Sequence, residues 1–131
     1  MGRIVSHITI SNPVHSDCKV SINALVDTGA SALLLPDSYQ SKLGDMEELE
    51  PSFCTFADGS KKLSRRFGPV RIQMDGFPVI YNEVMFLPPD AEGKDVEPLI
   101  GYIILEQSRA GVDMVGHRLF KVDSYDLKGI R

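Results

Sequence analysis

The sequence is short of the features that would place it in several broad classes. It has only two cysteines, Cys18 and Cys54, in 131 residues. That is too few for a disulfide scaffold, and both are expected as reduced thiols in a cytoplasmic protein. His15-x-x-Cys18 offers two metal ligands with no second matched pair, so no metal site is expected. No apolar run approaches the roughly 20 residues that span a bilayer. The first residues, Met1 to His7, lack the apolar core of a signal peptide. Gly2 and Ser6 fit the bare myristoylation pattern, but residues 4–10 read as a strand instead. Positive charge is not in excess: 14 Lys and Arg face 18 Asp and Glu, for a net charge of -4. This is no footprint for nucleic-acid binding, although a local basic patch remains compatible with it. There is no internal repeat, no low-complexity segment and no glycine-rich phosphate-binding loop. No cofactor is therefore expected.

What is present is a globular composition, 43% hydrophobic and 24% charged, with the charges mixed rather than blocked. The length fits a single domain, residues 1–131. Short apolar runs are cut by turn signals every eight to twelve residues or so, the pattern of an all-β domain. Strands are expected at 4–10, 18–26, 32–35, 69–74 and 79–87. Pro36 suits the first turn of a short helix ending near Leu43, with Gly44 as its stop. Residues 45–51 are acidic and read as a loop. Phe53 to Phe56 and Lys61 to Phe67 read as two arms of a hairpin around Ala57-Asp58-Gly59-Ser60. Residues 88–95 form an exposed loop. Leu99-Ile100 is a short apolar run, and Tyr102 to Arg109 suit a two-turn helix. Val112 to Val115 and Leu119 to Val122 close the series as a hairpin turning at Gly116-His117, and Ser124 to Arg131 reads as a further strand or a frayed tail.

One tetrapeptide stands apart: Asp27-Thr28-Gly29-Ala30. By composition it is an ordinary turn. Its flanks argue otherwise, because Ala24-Leu25-Val26 precedes it and Ala32-Leu33-Leu34-Leu35 follows. A carboxylate between two apolar runs must be hydrogen-bonded, paired or functional, since an unpaired buried charge is costly. Thr28 adds a hydroxyl to a local network, and Gly29 lets backbone approach the carboxylate. A serine-hydrolase reading is weak: Gly29-Ala30-Ser31-Ala32-Leu33 begins a nucleophile elbow but lacks its final glycine.

The segment Leu25-Val26-Asp27-Thr28-Gly29-Ala30-Ser31 resembles the active-site motif of retropepsin-like aspartic proteases. Leu99-Ile100-Gly101 followed by Tyr102-Ile103-Ile104-Leu105 resembles that family's downstream apolar-apolar-glycine and helix, and the hairpin around Asp58 lies where its flap would. The likeness runs from about residue 20 to 122 and is greatest to uncharacterised prokaryotic members with one such domain per chain. It implies a closed acid-protease β-barrel with a flap hairpin and one or two short helices. It also implies hydrolysis of peptide bonds by a water activated between two aspartates. Asp27, Thr28 and Gly29 would be catalytic, and Ala30, Ser31, Asp58, Gly59, Ile100 and Gly101 would bind substrate.

Asp58, Asp75 and Asp123 lack the Thr-Gly or Ser-Gly context of a second motif. The resemblance therefore implies a C2 homodimer in which each chain supplies Asp27. The partners expected are a peptide or protein substrate and a second copy, with no nucleic acid and no membrane. Arg3 to Ile10 and Leu119 to Tyr125 are the candidates for strands interleaved between copies. Two departures stand out. Ser31 and Tyr102 occupy the places of the charged pair that braces retroviral dimers, and the flap carries Lys61, Lys62, Arg65 and Arg66 instead of a glycine-rich tip. The basic run reads either as an attractor for acidic substrates or as a solvated hairpin kept from sticking by its charges. The alternative to an enzyme is a non-catalytic peptide-binding or dimerisation module of the same fold.

Overall fold

In the computed structural model residues 3–56 and 58–123 are described. They are mostly β. Strand β1 (Val5–Ser11) pairs antiparallel with β2 (Lys19–Val26). Strand β2 runs parallel to the short β7 (Leu99–Ile100), which lies beside β3 (Leu33–Pro36). Strand β3 is parallel to β6 (Ile80–Leu87), β6 is antiparallel to the long β5 (Lys61–Met74), and β5 returns to β1. The sheet thus closes into a ring. Strand β4 (Glu48–Thr55) hangs on the outside of β5, and β8 (Ala110–Asp113) with β9 (Arg118–Lys121) forms a separate hairpin.

The ring follows from alternation. In β1, Ile8 and Ile10 are fully buried while His7 and Thr9 turn away, and Val20, Ala24 and Val26 do the same for β2. Phe67 and Phe86 meet edge to face at the centre, with ring centroids 5.6 Å apart. Strand β3 lies between two neighbours and is buried on both faces. Leu33 and Leu35 enter the main core, while Leu34 faces a second, smaller cluster with Met85 and Leu87.

Several local expectations are revised. The short helix expected after Pro36 is present as a 3-10 helix, Asp37–Leu43, with Gly44 at its end. Residues 48–51 belong to β4 rather than to a loop. Glu48 sits exposed on that edge strand against Arg65, and the register shifts between Leu49 and Ser52, where Pro51 lies. Residues 61–74 form one strand rather than two, with an irregularity between Phe67 and Val70. The helix α1 is shorter than expected, Tyr102–Gln107. In the last hairpin Met114 and Val115 lie in the turn, 52% and 91% exposed, because Asp113 accepts the N–H groups of Val115 and Gly116 and so ends β8 early.

Arg3 to Ile10 does not offer a free strand. Strand β1 is paired along its length with β2, and Ile8–Ser11 with β5 as well. Leu119 to Lys121 pairs with β8. Gly2, Ala57 and the tail 124–131 lie outside the described residues. Among the described residues, no helix is long and apolar enough to cross a membrane.

Asn12 fastens the lower end of the ring. Its buried amide donates to the carbonyls of Leu43 (2.9 Å) and Asp45 (2.8 Å), and its oxygen accepts the N–H groups of Val14 (2.9 Å) and His15 (3.2 Å). Asn12→Ala strands these groups and is expected to cost about 2–4 kcal/mol. A denaturant midpoint equal to wild type would contradict that role.

Candidate active site

The Asp27 loop is suspended from below by backbone alone. Asp27 donates its N–H to the carbonyl of Ile100 (3.0 Å), continuing the β2–β7 ladder. Ala30 closes the turn by donating its N–H to the carbonyl of Asp27 (3.1 Å). The start of α1 then holds the far side. Gly101, Tyr102 and Ile103 donate to the carbonyls of Ala32 (3.0 Å), Ala30 (2.8 Å) and Ser31 (3.1 Å). Gly101 is required by this approach: a Cβ there would sit 2.4 Å from the Ser31 carbonyl carbon and 2.5 Å from the Ala32 nitrogen.

The Asp27 carboxylate is half-buried, not sealed in the core. Its Oδ1 accepts the N–H of Gly29 at 2.9 Å, and the carboxylate faces a cavity of about 620 Å³. Gly29, Ala30, Ser31 and Ala32 line the near side, Leu34 and Leu99 the floor, and Cys54, Thr55 and Phe56 the hairpin wall. Asp27 is the only charged group among these lining residues. The arrangement can offer one carboxylate to a bound molecule within largely apolar walls.

The expected residues divide accordingly. Asp27, Gly29, Ala30 and Ser31 line the cavity, and Thr28 is exposed beside it. Ile100 is fully buried in the main core and Gly101 packs under the loop, so both position the site without lining it. Asp58 and Gly59 are exposed at the hairpin turn, away from the cavity wall. Leu34, Leu99, Cys54, Thr55 and Phe56 were not expected. Each sits within a few residues of one that was, and strand parity decides which neighbour faces the cavity.

The hairpin turn is closed by charge. Asp58 accepts the Ser60 hydroxyl (2.6 Å) and N–H (2.8 Å), which hold its carboxyl below the usual aspartate range. The basic run is largely neutralised within the chain. Arg65 makes a two-pronged contact with Glu48 (2.9 and 3.1 Å), and Arg66 pairs with Glu83 and donates to the Glu50 carbonyl. Lys62 lies 5.6 Å over the Phe56 ring. This supports the solvated-hairpin reading. His15 and Cys18 meet through backbone, the Cys18 N–H donating to the His15 carbonyl at 2.9 Å. Among the described residues no three His, Cys, Asp or Glu side chains gather as metal ligands would. Cys18 and Cys54 are free thiols.

A scan against protein-family models gives no match to this chain, and a search of curated proteins gives none either.

Proposed function

We propose that the chain is a single lobe of a retropepsin-like aspartic endopeptidase, active as a homodimer that brings two copies of Asp27 together. The observation that carries this reading is the half-buried Asp27 carboxylate on a backbone-braced turn, opening into an apolar cavity beneath a hairpin.

In the proposed dimer the two carboxylates lie within a few ångströms of each other, share one proton and hold one water. The ionised carboxylate takes a proton from the water as it attacks the peptide carbonyl. The protonated one donates to the carbonyl oxygen. The pair titrates as a unit. Gly29 N–H keeps each Asp27 oriented, and in that dimer Thr28, exposed beside the cavity, would brace its counterpart as the family's threonine does. The peptide would bind extended, its side chains alternating into the apolar walls. Strand β4 ends the sheet order with one edge unpaired among the described residues, next to Cys54 and Thr55, and an added strand could pair there.

One observation favours the second reading, a non-catalytic module. Strand β1 is paired with β2 along its length and with β5 over Ile8–Ser11, so of the two candidate segments only β9, paired on one edge by β8, keeps a ladder edge open along its length. Dilution separates the two. For the enzyme, specific activity on a peptide mixture falls as the protein is diluted through its dimer dissociation, and excess Asp27→Asn chain poisons the wild type. Activity independent of concentration, and indifferent to the mutant chain, would sink the shared dyad.

A further inference from the structure

The hairpin wall of the Asp27 cavity depends on one extra residue in β4. Leu49 is the partner of Arg66 and Ser52 the partner of Ser64, so Glu50 and Pro51 together oppose the single residue Arg65. This is a β-bulge on an edge strand, a place where proline is tolerated. The bulge resets the alternation of faces. Counted from Leu49 without it, Pro51, Phe53 and Thr55 would share a face with Arg66, Ser64 and Lys62. With it, Ser52, Cys54 and Phe56 take that face. Exposure agrees: Ser52, Cys54 and Phe56 are half-buried, whereas Phe53 is exposed. Cys54 and Phe56 line the cavity and pack against the cluster of Leu34, Met85 and Leu87, and Phe53 does neither.

Apolar burial fixes this choice poorly. Phe53 lies directly opposite Leu63 on the outer face, 68% and 52% exposed, so both faces of the hairpin carry large apolar side chains. Register is strongly set only where one face alone has such residues to bury. Two polar side chains of β5 act instead, and both reach carbonyls at the bulge. Ser64, fully buried, donates its hydroxyl to the Ser52 carbonyl at 2.8 Å. Arg66 donates to the Glu50 carbonyl at 3.0 Å, and its pairing with Glu83 of β6 ties it to the ring. The two bonds bracket Pro51. A bulge moved toward the turn would draw these carbonyls away and leave a buried hydroxyl without a partner, which is costly.

We propose that Ser64 and Arg66 are positioning residues of the cavity wall: they hold the bulge at Glu50 and Pro51, and so keep Cys54 rather than Phe53 turned toward the Asp27 side. A molecule lying over Asp27 then meets a small thiol at this point. With the bulge displaced toward the turn it would meet a phenyl ring, and the cavity would admit only smaller groups. The pair thus sets the size of group that the site accepts, without touching that group. The assignment concerns the wall alone and does not depend on the protease reading.

Thiol labelling with iodoacetamide tests it without any substrate, so its failure and the failure of the protease reading are separate results. Two reporter chains are compared: the natural one, read at Cys54, and one carrying Phe53→Cys with Cys54→Ser. Cys18, outside the hairpin, is the internal reference in both. Ser64→Ala and Arg66→Met are each expected to speed labelling of Cys54 by roughly threefold to tenfold, the factor one hydrogen bond is worth. With both changes present the displaced bulge becomes the main form, and labelling at position 53 should slow by about twofold or more as that side chain turns inward. Ser52→Ala keeps the carbonyl that Ser64 reaches and should alter neither rate. Opposite changes at neighbouring positions 53 and 54 are the signature of a flipped face, which simple loosening does not give. If both thiols speed up, if neither changes, or if Cys18 speeds up with them, Ser64 and Arg66 do not set the facing of the wall.

Discussion

Asp27→Asn is expected to abolish peptide cleavage while leaving the fold as it is. Asn keeps an oxygen at the Oδ1 position, so the 2.9 Å bond from the Gly29 N–H survives. It keeps the shape of the carboxylate and removes its ability to take or give a proton. In the proposed homodimer both copies of Asp27 change at once, so the general base and the general acid would be lost together. The drop should be at least about 10⁴-fold, the upper range for losing acid–base catalysis. Stability should move by no more than about 0.5 kcal/mol, as for other half-exposed substitutions outside the core. Cleavage of a diverse peptide mixture from acid to neutral pH, with thermal unfolding run beside it, checks both halves. Equal cutting by the two proteins would remove Asp27 from the chemistry. Loss of folding along with activity would make Asp27 a structural acid.

Gly101→Ala is expected to damage stability and activity together. The three nearest atoms to an added Cβ are all backbone: the Ser31 carbonyl carbon at 2.4 Å and the Ala32 nitrogen and oxygen at 2.5 and 2.6 Å. No side chain can swing aside to make room. The 30–32 segment must lift, which stretches the three hydrogen bonds that hold it to the start of α1. Overpacking of this kind costs about 1–3 kcal/mol. The same lift moves Ala30, Ser31 and Ala32, which line the cavity. A displacement of about 1 Å in reacting groups can cost on the order of 10²-fold in rate. Gly76→Ala is the contrast. Gly76 has φ of 86° and nothing within 4 Å of its added Cβ, so it should lose about 1 kcal/mol and no activity. Native stability in Gly101→Ala would mean that the loop is not braced as described.

The sheet and most strand limits were legible because hydrophobic alternation leaves marks in the sequence, whereas the meeting of Gly101 with the Asp27 loop was expected only from the family resemblance. Parity was not legible. Leu99 and Ile100 are equally apolar, yet Leu99 faces the cavity and Ile100 the core, and only the pairing of β7 with β2 and β3 decides which. The hairpin wall was missed for a related reason. The turn residues Asp58 and Gly59 are conspicuous, but a turn's tip extends past the cavity, and Phe56 before it carries the contact. Glu48 to Pro51 read as a loop because charge and proline hide an edge strand. Met114 and Val115 read as strand because nothing in a short apolar run shows that Asp113 will end it. The placing of β1 inside the ring could not be read at all. It depends on Ile8–Ser11 finding Arg71–Met74, some sixty residues away.

Strand β3 separates two kinds of selective pressure. Leu33 and Leu35 are locked by the main core, where a change of one methylene is felt by the whole ring. Leu34, between them, answers only to the small cluster beside the cavity. Descendants of this sequence can therefore alter what they recognise by drifting at position 34, while positions 33 and 35 stay fixed by folding. A library randomised at Leu34 alone should hold far more folded members than one randomised at Leu33 or Leu35, and any new preferences should be found among them.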